Sequence, residues 1–72
     1  DEVEIELFLA NETKIKLRIS DMGGKVLKEE EISGKGKINQ KVNLSSFSSG
    51  IYLFSVVKDG LILTSRKVII EH

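Results

Sequence analysis

The sequence predicts an all-β fold. Apolar and polar residues alternate at period two in several segments, and turn residues separate these segments about every 8–12 residues. No segment shows the helical period, and proline is absent. This rhythm is typical of a sandwich built from short strands. We therefore expect a small immunoglobulin-like antiparallel β-sandwich of about six or seven strands.

Composition limits the classes of protein that fit. The chain has 72 residues, enough for one domain over residues 1–72. Eleven basic and eleven acidic residues cancel, which argues against a nucleic-acid partner. No apolar run approaches the ~20 residues of a transmembrane segment, and cysteine is absent. The acidic start, with no signal peptide, leads us to expect a fragment of a longer protein.

Two alternating segments open the chain and predict a hairpin. Residues 3–9 and 14–19 each place apolar side chains on one face and charges on the other. Asn11 lies between them as the expected loop. Folding about it sets Glu4 opposite Arg18 and Glu6 opposite Lys16, so that both faces match in one register.

The middle of the chain predicts two further strands. A turn at residues 21–24 contains two glycines. Residues 25–32 form a strand in which three consecutive glutamates break the alternation, so we expect a bulge or an edge position. Residues 33–37 are a flexible basic tip, and residues 38–44 alternate again as a half-buried strand.

The last third predicts a turn, a central strand and a hairpin. Serines surround Phe47, and we expect its ring to fold back onto the core. Residues 51–57 are apolar at nearly every position, as in a central strand covered on both faces. Asp59 and Gly60 favour a type I′ turn. Residues 61–70 return as a strand broken near Ser65 and Arg66, with an inward face that the pattern leaves unassigned.

No residue pattern indicates catalysis or a cofactor. A serine nucleophile needs a base, and the one histidine is His72, the last residue. The carboxylates are expected to form a solvated face. Asp21 and Asp59 are too few for a calcium cage of about 6–8 oxygens, so we expect no metal. Residues 33–37 lack the full phosphate-loop spacing. We expect a protein that is not an enzyme.

Three motifs follow one another in a specific order along the chain. A strand leads into the turn of Asp21, Gly24 and Lys25. A leucine-containing turn with Leu44 leads into Gly50, Ile51 and Tyr52. A basic-apolar tail follows at residues 66–70. In this order the motifs resemble a known family, the type A C-terminal sorting domain of the type IX (Por) secretion system of Bacteroidetes, and they indicate that the chain is part of a larger secreted protein. The resemblance covers nearly the whole chain, although the asparagine-proline start common in such domains is absent and the tail ends in Glu71 and His72.

The resemblance implies a secretion signal. Such domains direct an attached N-terminal cargo through the periplasm and the outer-membrane translocon, and a surface sortase then commonly removes them, leaving the cargo secreted or on the cell surface. It implies translocon recognition through the final strand, at Lys67, Val68, Ile69 and Ile70. It implies turn and core roles for the motif residues Asp21, Gly24, Lys25, Leu44, Gly50 and Tyr52.

Other interpretations stay open. The C-terminal domain of flagellar hook-capping proteins is similar in sandwich style. An adhesion or carbohydrate-binding module would need an exposed aromatic, and Phe8, on the charged face of its strand, is the one candidate. A structural spacer domain is the third possibility.

Overall fold

The protein folds as four antiparallel strands in one sheet. The computed structural model describes residues 2–71, so Asp1 and His72, the one histidine, lie outside the described residues. The strands are β1 (Glu2–Asp21), β2 (Val26–Asn43), β3 (Gly50–Lys58) and β4 (Leu61–Ile70), in the order β2-β1-β3-β4. The predicted all-β class is confirmed, with four strands in place of six or seven.

The count differs because β1 and β2 are long and bent. An extended strand rises about 3.3 Å per residue, so 20 residues would span roughly 63 Å. The longest dimension of the molecule is 36 Å. Both halves of β1 therefore contribute to one core, in which Val3, Ile5 and Leu7 pack against the buried cluster of Ile15, Leu17 and Ile19.

An irregularity in the pairing, in which three residues of β1 oppose one residue of β2, lies where β1 bends. Along β1 the register advances from Leu9 to Thr13, while along β2 it advances only from Gly36 to Gly34. Gly36 has a φ of 82°, a conformation that other residues rarely adopt. The odd-numbered residues of β1 lie on the same side of the sheet before and after this bulge. We call the side that carries the core the inner face and the opposite side the outer face.

The predicted hairpin about Asn11 is wrong. Asn11 lies within β1, and residues 2–9 pair with β2 instead of with residues 14–19. Glu4 is opposite Lys41, and Arg18 is opposite Glu29. The error has a simple cause: a continuous strand puts the same odd-numbered apolar residues on one face as the hairpin would.

The predicted flexible tip at residues 33–37 is also wrong, because these residues continue β2. An edge position for the three glutamates is confirmed, since β2 is the first strand of the sheet. The amide Nε2 of Gln40 donates to Oε2 of Glu30 at 3.0 Å, although the two residues are ten apart along β2. This contact requires β2 to bend as β1 does.

The β3–β4 hairpin follows the predicted turn. Asp59 and Gly60 both have positive φ, 51° and 80°, as a type I′ turn requires. The predicted break near Ser65 and Arg66 is wrong, because β4 runs unbroken. Its irregularity lies earlier, where Leu63 is inserted between the partners of Val56 and Val57.

β3 is the inner strand between β1 and β4. Tyr52, Phe54 and Val56 are buried in the core, and Val57 on the other face is also buried. Ile51 remains 45% exposed, so the expected cover on both faces is incomplete at this end. Phe47 packs against the core, as predicted.

Candidate recognition surface

The four residues predicted for recognition lie at the end of β4, which is an edge strand. β4 pairs with β3 on one side and with no other strand of the described chain. Lys67 and Ile69 are exposed, Ile69 by 65%. Val68 packs against the core and Ile70 belongs to it. The structure thus divides the four residues between the outer and inner faces.

The outer face at this end of the sheet is apolar beside a cation. Ile69 is directly opposite Ile51, and Lys67 is opposite Leu53. No described residue forms a salt bridge or side-chain hydrogen bond with Lys67. A free ammonium group therefore lies next to an exposed isoleucine pair. We call Ile51, Lys67 and Ile69 the tail patch.

The start of β4 carries a second exposed apolar group that the sequence pattern did not single out. Leu61, Ile62 and Leu63 are 68%, 58% and 59% exposed. The sequence does contain a sign of this group, because three large apolar residues directly follow the predicted type I′ turn. The pattern could not show their exposure, because the insertion of Leu63 and the pairing with β3 determine it.

Asp21, Gly24 and Lys25 build the turn between β1 and β2. Oδ1 of Asp21 accepts hydrogen bonds from the backbone N–H groups of Gly23 and Lys25, both at 2.9 Å. The N–H of Gly24 donates to the carbonyl of Asp21 at 3.1 Å. Gly24 has a φ of 93°, which favours glycine. The geometry of these three residues is that of a turn.

Leu44, Gly50 and Tyr52 surround the loop before β3. Leu44 is buried, and its carbonyl accepts from the N–H of Phe47 at 3.0 Å. The hydroxyl of Tyr52 donates to the carbonyl of Ser48 at 2.6 Å. A Cβ at Gly50 would lie 3.6 Å from the Tyr52 ring. These contacts connect the loop to the core.

Within the described residues, salt bridges join some of the charged side chains of β1 to those of β2. The guanidinium of Arg18 donates to Oε2 of Glu29 at 2.8 Å, and this bond lowers the pKa of Glu29. Lys14 pairs with Glu31 at 3.8 Å, and Lys37 with Glu6 at 3.5 Å. Lys14 and Arg18 of β1 are thus engaged by β2, whereas Lys16, like Lys67, forms no salt bridge with a described residue.

Ser45, in the loop before β3, forms local hydrogen bonds. The hydroxyl of Ser45 donates to Oδ1 of Asn43 at 2.7 Å, as in a turn. Within residues 2–71, no three acidic, histidine or cysteine side chains are grouped so that they could hold a metal ion.

The comparison with known families supplies the decisive observation. The family model described as "Secretion system C-terminal sorting domain" matches residues 1–71. The chain belongs to this family of sorting domains. The resemblance predicted from the sequence motifs is therefore confirmed. No curated protein and no solved structure matched the chain.

Membership defines the coarse role of this sorting domain. It is a C-terminal sorting signal of type IX secretion, and it implies an interaction with that secretion machinery. It also implies a secreted or cell-surface cargo. Among the described residues there is no helix with the length and apolar character needed to cross a membrane.

Proposed function

We propose that this sorting domain directs an N-terminally attached cargo from the periplasm through the type IX outer-membrane translocon, and that a surface sortase then removes it. The observation that carries the proposal is the family match over residues 1–71. The domain is proposed to act as a binding signal without catalysis or cofactor, and the cargo ends secreted or on the cell surface.

We infer that the translocon recognises the tail patch. Lys67 and Ile69 are accessible on an edge strand, and the ammonium group of Lys67 has no side-chain partner within the described chain. Val68 and Ile70 point into the core and hold the strand in place. In a complex, Ile51 and Ile69 would contribute buried apolar area, and Lys67 would favour a partner surface of negative charge.

The bent sheet is proposed to be an immunoglobulin-like sandwich. In support, the two halves of β1 and β2 contribute to one core. The hydroxyl of Tyr52, near the start of β3, bonds back to the backbone of Ser48. A tyrosine in this arrangement is a feature of immunoglobulin-like corners. A rigid folded body would present the tail patch in a fixed geometry.

The experiment is an export assay. Residues 1–72 are fused to the C-terminus of a periplasmic reporter in a strain with an active type IX system. We expect the reporter outside the cells, shortened by the mass of the domain. A strain without the translocon is the control, and there the fusion is expected to stay inside. Export equal with and without the domain would contradict the proposal.

A carbohydrate-binding module is the second candidate, because one observation favours it. Phe8 is 76% exposed, the highest value among the large apolar side chains described. Exposed aromatic rings are common in sugar-binding sites. Binding on a glycan array that Phe8→Ala abolishes would favour this candidate, whereas the sorting proposal predicts that Phe8→Ala leaves export unchanged.

A further inference from the structure

Within residues 2–71, the first half of β1 has a backbone edge without a strand partner. Residues 2–9 pair with β2 on one side only, and β3 pairs with β1 from Lys16 to Asp21. No Cα of β4 lies within 8 Å of a Cα of β1. Alternate N–H and carbonyl groups along residues 2–9 are therefore open on that side. An open edge of this kind is a template for another strand.

A groove borders this edge. Its volume is about 460 Å³, and its lining joins the first half of β1 to the inner side of β3 and β4. Leu17, Phe54 and Val56 contribute apolar surface, and Arg66 lies on the β4 side. The residues of β1 that face the core here, Val3, Ile5 and Leu7, are only half-buried. The groove thus offers apolar surface next to unpaired backbone.

The charge on this edge is acidic. Glu2, Glu4 and Glu6 occur at every second position and are exposed on the outer face. Glu6 forms a salt bridge with Lys37 of β2, whereas Glu2 and Glu4 form none with any described residue. An antiparallel strand added at the open edge would place its own side chains opposite these carboxylates. Basic residues at alternate positions would complement them.

The chain itself contains a sequence of this kind. Residues 13–20 read TKIKLRIS, with basic and apolar residues in alternation. Antiparallel to residues 2–9, they set Arg18 against Glu4, Lys16 against Glu6 and apolar residues against apolar ones. In the fold, residues 16–20 already pair with β2 and β3 on their two sides, so a second copy cannot supply them. The open edge is therefore left to bind a segment of this kind from another protein.

We propose that the open edge of residues 2–9 and its groove bind an extended segment of a partner protein with alternating basic and apolar residues. The segment adds to β1 as an antiparallel strand. Its apolar side chains enter the groove, and its basic side chains lie opposite Glu4 and Glu6. Main-chain hydrogen bonds supply affinity, and the alternating side chains supply selectivity, as in other cases of strand addition. This site is separate from the tail patch.

The test uses a synthetic peptide, TKIKLRIS, with blocked ends and a fluorescent label. We expect saturable binding to the purified domain at low salt, with new amide protection along residues 2–9 in hydrogen exchange. A matched peptide with glutamate in place of each basic residue should bind at least about tenfold more weakly. The domain carrying Glu4→Lys and Glu6→Lys should reverse this preference.

Glu12→Lys is the control variant, because Glu12 is an exposed carboxylate in the bulge of the same strand. It should retain the original preference. Circular dichroism establishes that each variant is folded, and a variant of Glu4 alone serves if the double change unfolds the domain. Absence of saturation, protection confined to β2 or β4, or a preference that the charge reversal leaves unchanged would overturn the proposal. None of these outcomes depends on the export assay.

Discussion

At the scale of single residues, Tyr52 joins the loop before β3 to the core. Its ring is buried, lies 5.3 Å from the ring of Phe47 and packs beside Gly50. Its hydroxyl holds the carbonyl of Ser48. The serine turn around Phe47 predicts that its ring folds back onto the core, and the core role of Tyr52 was expected from the family motif. The hydrogen bond to Ser48 could not be predicted, because it depends on the path of the loop.

Removal of the Tyr52 hydroxyl should lower the stability of the domain without leaving a cavity in the core. Tyr52→Phe leaves the ring in place and deprives the Ser48 carbonyl of its donor. We expect a loss of about 1 kcal/mol in the free energy of unfolding, measured by urea denaturation. Ser45→Ala is a comparison variant, because it removes a hydroxyl whose bond is exposed. An unfolding midpoint for Tyr52→Phe equal to that of the parent would show that the bond contributes nothing.

Glu29 predicts how stability depends on pH. The hydrogen bond from Arg18 lowers the pKa of Glu29 below its ordinary value of 4.5. The ionised form is therefore favoured by folding. Its contribution is complete above the unfolded-state pKa and is lost as pH falls through the lower folded-state value.

The variant Glu29→Gln should accordingly be less stable than the parent at neutral pH, and the difference should vanish in acid below both pKa values. Thermal unfolding followed over pH 2–7 measures this. Glu12→Gln is the control, because Glu12 forms no salt bridge in the described chain. A difference that stays constant across this range would mean that the charge of Glu29 is irrelevant.

At the scale of elements, the sequence predicted where strands occur better than how they pair. Period two predicted strand at residues 3–9, 14–19 and 38–44, a continuous apolar run predicted it at residues 51–57, and the turns at Asp21 and Asp59 were correct. The predicted partner strand of residues 2–9 was wrong, because alternation shows which face of the sheet a residue occupies but not which strand lies beside it. The glycines at 34 and 36 indicated a turn, whereas they allow a bend within β2.

A pair of engineered cysteines separates the observed pairing from the hairpin predicted first. The chain has no cysteine of its own. Glu4→Cys with Lys41→Cys should form a disulfide on mild oxidation, because directly opposed residues lie within disulfide reach. Glu4→Cys with Arg18→Cys should stay reduced. Mass spectrometry measures both, and the reverse result would restore the hairpin about Asn11.

For the residues proposed for recognition, too, the sequence predicted the strand but not the face on which each side chain lies. The basic-apolar tail was identified from its resemblance to the family, and it proved to be the end of β4. Which of its residues face outward was not predictable, because the insertion at Leu63 changes the alternation within the strand. Pairing with Ile51 and Leu53 places Ile69 and Lys67 on the outer face.

At the scale of the whole molecule, the two outer strands differ. β2 carries charged side chains along its length, among them Glu29 and Glu31, which pair with β1, and charges on an edge strand discourage the addition of another strand. β4 ends in the tail patch and begins with three exposed apolar residues. We infer that the domain has a protected side and a binding side, and that the cargo-bearing protein meets the translocon through the latter.

The most direct test of this account is export of the reporter fusion with the tail patch altered. Lys67→Glu combined with Ile69→Ser should keep the domain folded, because both side chains are exposed, and should reduce secreted reporter by about tenfold or more. Leu27→Ser with Lys35→Glu, an equivalent change at exposed positions of β2, should leave export near the parent level. Unchanged export with the altered tail patch, in a domain shown by circular dichroism to be folded, would contradict the account.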